Sequence, residues 1–196
     1  MRLSFTLLFF VMTMNACSDR GELLIKPHQY PRIDFPEKTY QTFSEADCDF
    51  SFELPEYASI EQKVAYFDDA PLHPCWFDIA YEPFNGKLHC SYYPINGRAQ
   101  LDMLISDAFE LVSKHHIKAN FREETLIKRD DVNGILFDIS GPVASPAIFF
   151  LTDSLQHFFI ASLYFDNQVN PDSMKVVHDF VRADVVEMIE SFDWRN

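Results

Sequence analysis

The succession of hydrophobic periods predicts an α+β fold, a mainly antiparallel sheet flanked by two long helices. Three observations predict it. Apolar residues recur at helical spacing in two separate stretches, Leu101 to Val112 and Met174 to Phe192. Between them lie four consecutive runs with strand-like period, whose links are too short for a crossover and therefore favour antiparallel neighbours. Ahead of the first helix, two aromatic-rich runs flank an Asn-Gly, the mark of a hairpin. The βαβ alternation of a doubly wound parallel sheet is absent.

The elements follow in order. Tyr30 to Phe35 and Phe50 to Leu54 read as short strands bounded by Pro31, Pro36 and Pro55, with the acidic stretch Ser44 to Asp49 between them. Trp76 to Tyr81 and Leu88 to Tyr93 form the hairpin, joined by Glu82-Pro83-Phe84-Asn85-Gly86. After Asn96-Gly97, Leu101, Leu104, Ile105, Ala108, Leu111 and Val112 line one face of a helix. The four following strands are Thr125 to Arg129, Ile135 to Ser140, Ala147 to Leu151 and His157 to Phe165. Asn133-Gly134 is expected to join the first two, Gly141-Pro142 with Ser145-Pro146 to bend into the third, and Thr152-Asp153-Ser154 to turn into the fourth. Asn170 caps the closing helix and Pro171 opens it.

Composition bounds the function. With 196 residues, 47% of them hydrophobic and 20 phenylalanines, the chain has apolar surface for one core and too little length for two. Its 16 Lys+Arg against 30 Asp+Glu give a formal charge of −14, which excludes general affinity for nucleic acid or anionic headgroups, because such binding rests on cationic side chains releasing counterions.

The first segment is an address. Met1-Arg2, an apolar body from Leu3 to Met12, and Ala16-Cys17 match a lipoprotein signal better than an ordinary secretory one, and the body is too short to span a bilayer. The expected organisation is a signal peptide over 1–16, a lipidated Cys17 with a tether over 17–29, and a single globular domain over 30–196. Acylation of Cys17 with diacylglycerol and a further palmitate-class chain would hold the protein on a membrane, since two chains anchor where one is marginal. Export to an oxidising compartment makes Cys48, Cys75 and Cys90 candidates for pairing. Cys48–Cys75 is favoured because both stand at element edges; Cys90, alternating with Leu88 and Tyr92, reads as a buried hydrophobe.

Chemistry is sparse. The chain has no Gly-x-Ser-x-Gly elbow, no phosphate loop and no Cys-x-x-Cys, and only 5 glycines. No metal or other cofactor is expected: His115-His116 are adjacent on a helix and point about 100° apart, so a helix-end role as cations near the last carbonyls is the expectation. Asp153, Ser154 and His157 hold the residue types of a hydrolytic triad, but crowd into one turn, where capping is the commoner role. Glu123-Glu124 and Asp130-Asp131 read as a solvated, mixed-charge sheet edge. Phe149-Phe150, Phe158-Phe159 and Tyr164-Phe165 read as the two faces of a buried sheet, with a lipid or peptide pocket as the alternative.

Several stretches together resemble the GldD family of gliding-motility lipoproteins from the Bacteroidota. They begin at Cys17 and continue through Tyr30-Pro31-Arg32-Ile33-Asp34-Phe35-Pro36, Cys48-Asp49-Phe50-Ser51-Phe52-Glu53, Pro74-Cys75-Trp76-Phe77 and Leu88-His89-Cys90-Ser91-Tyr92. They extend through Lys114-His115, Lys118-Ala119, Val143-Ala144-Ser145-Pro146, Phe149 to Ser154, His157-Phe158, Leu163-Tyr164-Phe165, Asn170-Pro171-Asp172-Ser173 and Trp194. Two departures stand out: Ile160-Ala161 where the family tends to carry Arg-Gly, and Pro142 where it tends to carry Asn. The resemblance implies a non-enzymatic envelope lipoprotein required for gliding, anchored in the outer membrane facing the periplasm, with gliding-motility and type IX secretion envelope proteins as partners. The order of elements also looks like a PsbP/Mog1-like α/β/α sandwich, a likeness of fold that carries no function.

Overall fold

Strand β1 (Tyr40–Phe43) opens a small sheet by pairing antiparallel with β2 (Phe50–Pro55). There follow β3 (Ser59–Gln62), β4 (Phe77–Tyr81), β5 (Gly86–Pro94), helix α1 (Arg98–His116), β6 (Phe121–Arg129), β7 (Val132–Ser140), β8 (Ala147–Thr152), β9 (His157–Phe165), helix α2 (Pro171–Ser191) and β10 (Asp193–Trp194). This computed structural model describes residues 32–62, 73–116, 119–166 and 171–195. The chain divides into two units, Met1–Asp34 and Phe35–Asn196, and every element named here belongs to the second. The expected leader, Cys17 and tether lie outside the described residues.

The protein is α+β, with antiparallel sheets and two long helices. Seven strands form the main sheet in the order β3-β4-β5-β9-β8-β7-β6, and β1-β2-β10 form the second. Alternation along each central strand sends successive side chains to opposite faces. Phe149, Leu151, Phe159, Leu163, Leu88 and Tyr92 meet Val177, Val181, Val185 and Met188 of α2 together with Phe50 and Phe52 of β2. Phe137, Ile139, Ile148, Phe150 and Phe158 meet Leu101, Leu104, Ala108 and Val112 of α1. One helix thus covers each face of the main sheet, and the small sheet shares the α2 side. Fully burying each large side chain contributes about 1.5–3 kcal/mol. The centre of the α2-side core is a ring cluster around Phe50, whose neighbours Tyr92, Phe159 and Phe192 lie with centroids 5.1–5.5 Å away.

Three expectations need correction. The stretch expected as a strand from Tyr30 to Phe35 carries none over its described part, Arg32 to Phe35; prolines at 31 and 36 remove amide donors on both sides, and Phe35 instead stacks on Phe180 of α2 at 4.4 Å. The reversal between the first two strands of the meander is not at Asn133-Gly134. Arg129 pairs with Val132, so the two-residue turn is Asp130-Asp131, with Asp130 at φ 47°, a conformation Asp adopts more readily than most residues. Gly134 lies inside β7, where a Cβ would stand 1.9 Å from the Phe150 carbonyl oxygen; glycine is there for close approach of two strands. Finally β6 starts at Phe121, four residues ahead of the expected Thr125, because as the edge strand it is largely exposed and its charges carry no apolar alternation.

Candidate functional site

α1 packs over β7 to β9 and, among the described residues, stops short of the same face of β5. The β5 residues on that face, Lys87, His89, Ser91 and Tyr93, are half-exposed, while their neighbours Leu88, Cys90 and Tyr92 are buried on the other side. Between α1 and this face runs a trough of about 670 Å³, floored by His89, Ser91, Tyr93, Phe158, Ile160, Ser162 and Tyr164 and walled by Trp76 and by Leu104, Asp107, Ala108 and Leu111 of α1.

Strand register sets a polar row, of which His89 and Ser162 line the floor and Asp78 stands beside it. Asp78 of β4 lies directly opposite His89 of β5, which lies opposite Ser162 of β9, so the three form one row across the sheet. His89 Nδ1 is 2.8 Å from Asp78 Oδ1. Tyr164 stands between two histidines, its ring centroid 5.1 Å from that of His89 and 5.6 Å from that of His115, with its hydroxyl 3.0 Å from His115 Nε2. Burial holds the His115 pKa below its ordinary value. His115 is therefore a neutral partner of Tyr164, correcting the expectation of a cation at the helix end. At the other end Trp76 donates from Nε1 to the Tyr92 carbonyl at 2.7 Å and meets the Tyr93 ring edge-on at 5.2 Å. Burial, then the charge of Asp107, raises the Tyr93 pKa against the opposing hydrogen bond of Ser91, so this phenol stays a neutral donor.

Asp153, Ser154 and His157 adopt a capped turn. Asp153 Oδ1 accepts the backbone N–H groups of Leu155, Gln156 and His157, each at 2.9 Å. Ser154 has φ 67° and gives its N–H to Thr152 Oγ1. The His157 ring points to other partners, with Nδ1 2.7 Å from the Tyr92 hydroxyl and the ring stacked on Trp194 at 5.1 Å. Ser162 is a different serine on the same strand as His157, but it is mid-sheet with both neighbours paired, so its amide is committed to the ladder and supplies no oxyanion donor.

A second groove of about 640 Å³ lies on the other face, between α2 and the ends of β6 and β7. Its wall is a bidentate ion pair, Arg182 Nε and Nη2 to Asp138 at 2.5 and 2.6 Å. His178 beside it is held below its ordinary pKa by burial, which outweighs the raising charges of Asp179 and Asp138. Among the described residues no three metal-ligating side chains converge.

Cys48 and Cys75 form a disulfide with Cα atoms 5.6 Å apart. Cys90 is buried in the α2-side core. Phe149 and Phe159 fall in one core and Phe150 and Phe158 in the other, so these rings fill the sheet's two faces. Sequence reasoning did not single out the Asp78–His89–Ser162 row. Its signal was present in the half-polar alternation of Lys87, His89, Ser91 and Tyr93, a pattern of a strand with one wet face.

The molecule is thus a disulfide-bonded α+β domain with an open, polar-aromatic trough beside one helix. The chain belongs to the family described as gliding motility lipoprotein GldD, whose model matches residues 20–194. No curated protein matches it. Among solved structures it is similar to the solution structure of cyanobacterial PsbP (CyanoP) from Synechocystis sp. PCC 6803, at 11% identity over 84% of this chain and 97% of that one, with a TM-score of 0.42. Among the described residues no helix is long and apolar enough to cross a membrane.

Proposed function

We propose that this protein is an envelope lipoprotein of the gliding machinery that works by contact and not by turnover, as a component linked to the type IX secretion apparatus. In this reading residues 1–16 are removed, Cys17 is acylated, residues 17–29 are the tether, and the domain from residue 30 faces the periplasm from the outer membrane. The observation that carries the reading is the family match over residues 20–194, nearly the whole of the chain beyond Cys17. The chemistry of the turn at Asp153 agrees with it, since the carboxylate that a hydrolase would use to orient its histidine is taken up by three backbone amides.

The test is a Cys17→Ala variant expressed in a gliding cell. It should leave the membrane fraction or accumulate as an uncut precursor, and gliding should fail. In-cell crosslinking of the parent protein should capture envelope proteins of motility or secretion. Unchanged mass and partitioning of the variant, or normal gliding in a deletion strain, would overturn the proposal.

A further inference from the structure

The lining of the trough beside α1 selects the chemistry of what it can hold. Among its described lining residues there is no lysine or arginine, and the one carboxylate is that of Asp107 on the helix. A phosphate or carboxylate ligand would meet no fixed counter-charge there, in a chain of net charge −14. A fatty chain would fare no better. It would strip water from His89, Ser91 and Ser162 and offer no hydrogen bond in return; Asp78 already bonds His89 Nδ1 and Tyr93 already bonds Ser91, so the loss falls on the capacity those contacts leave over.

A sugar ring meets both demands. Its C–H face packs on flat aromatic surface, and its rim of hydroxyls both donates and accepts. Trp76, Tyr93 and Tyr164 present rings along the trough, and between them stand acceptor and donor groups of His89, Ser91 and Ser162. Ligand sites of this kind combine apolar walls with a few placed polar groups. The floor extends along β9 from Phe158 to Tyr164, a span of roughly 20 Å at the rise of a strand, which suits a chain of rings better than one. The floor residues of β5 and β9 sit on paired strands whose backbone is ordered before binding, so little order is lost on binding.

We propose that the trough between α1 and the adjoining face of β5 and β9 binds a neutral carbohydrate chain. This goes beyond the contact role in gliding and does not depend on it. The site is read from its lining alone.

The experiment is calorimetric titration of the full protein, extracted in a polyoxyethylene detergent that carries no sugar, with chitotetraose and with cellotetraose. Saturable binding of either, weakened about tenfold or more by Trp76→Ala and by Tyr164→Leu, is the expected result. Ser91→Ala, a milder change, should weaken it in the same direction and guards against a misfolded variant, as does an unchanged circular dichroism spectrum. Phe121→Ser, far from the trough on β6, should leave binding intact. No heat with either sugar, equal affinity in the trough variants, or binding of a lysine-rich peptide in their place overturns the proposal.

Discussion

Asp184 is fully buried on α2, and its carboxylate is satisfied by side chains from three other segments. Lys38 Nζ at 2.5 Å and the Tyr40 hydroxyl at 2.9 Å donate to Oδ1, and the Tyr57 hydroxyl donates to Oδ2. Burial first, and then the hydrogen bond to Asp184, pushes the pKa of both tyrosines well above the ordinary range, which keeps them as neutral donors. Lys38 also donates to the Phe180 carbonyl at 2.9 Å and lies 4.0 Å over the Phe180 ring. Removing one partner from such a group strands the others, so Asp184→Ala should cost about 3–5 kcal/mol in urea unfolding, and Asp184→Asn less, because its amide oxygen still accepts. The sequence carried a signal here. Asp184 stands three residues after Val181 and seven after Val177, on the apolar stripe itself, and an acid in that place needs partners from elsewhere. Asp153 offers a second test at this scale. Burial alone would raise its pKa, but the backbone amides of His157, Leu155 and Gln156 outweigh it and hold the carboxyl below 3.8. A depressed folded value means that the carboxylate's contribution is present above the unfolded value and lost as pH falls through the folded one. Asp153→Ala should therefore be less stable than the parent by about 1 kcal/mol at neutral pH, with the gap closing in thermal unfolding as the solution is acidified below 3.8.

At the scale of elements, the helices and central strands were legible because each has a wide apolar stripe or an unbroken alternation. The elements that escaped lack both. β1 and β3 have four residues each with mostly exposed side chains, and β10 has two. The β6–β7 reversal shows how a local signal misleads. Asn-Gly favours a tight turn in isolation, but register decides, and the partner strand β8 needs its carbonyl close to residue 134. Gly134→Ala should push β7 and β8 apart and lower the denaturant midpoint by an amount on the order of 3 kcal/mol, well beyond the ordinary strand penalty of glycine replacement. Asp130→Gly, by contrast, relieves a left-handed residue in the true turn and should be neutral or stabilising by a few tenths of a kcal/mol. If the turn were at Asn133-Gly134, Gly134→Ala would cost only the roughly 1 kcal/mol of a left-handed alanine, and Asp130→Gly would weaken a strand instead of relieving a turn. The trough was less legible than the helices because its polar row is assembled across three strands. Asp78, His89 and Ser162 are distant in sequence, and only the register of β4, β5 and β9 puts them in line.

At the scale of the whole domain, the question is what makes the small sheet one body with the large one. β2 is the hub. It pairs with β1 and with β10, placing Trp194 opposite Phe50 at the C-terminal end of the chain. Arg195 closes the same corner, with its guanidinium on Ser44 Oγ and on the carbonyls of Glu45 and Cys48. The Cys48–Cys75 bond then ties the approach to β2 to the approach to β4, across a sequence separation of 27. A loop of that length is worth about 3–4 kcal/mol if the bond acts mainly by restricting the unfolded chain. For a domain of this size the corresponding drop in Tm on reduction is about 10 °C. The form of the transition is as informative as its position. Phe43, Phe52, Phe77 and Phe159 crowd around Phe50 and belong to both sheets, so their packing survives reduction and couples the sheets without the covalent link. Differential scanning calorimetry of the reduced protein should therefore show one transition at lower temperature. Two transitions would mean that the disulfide, and not the aromatic cluster, joins the sheets. An unshifted Tm would mean that the unfolded chain is already confined near this corner by other contacts.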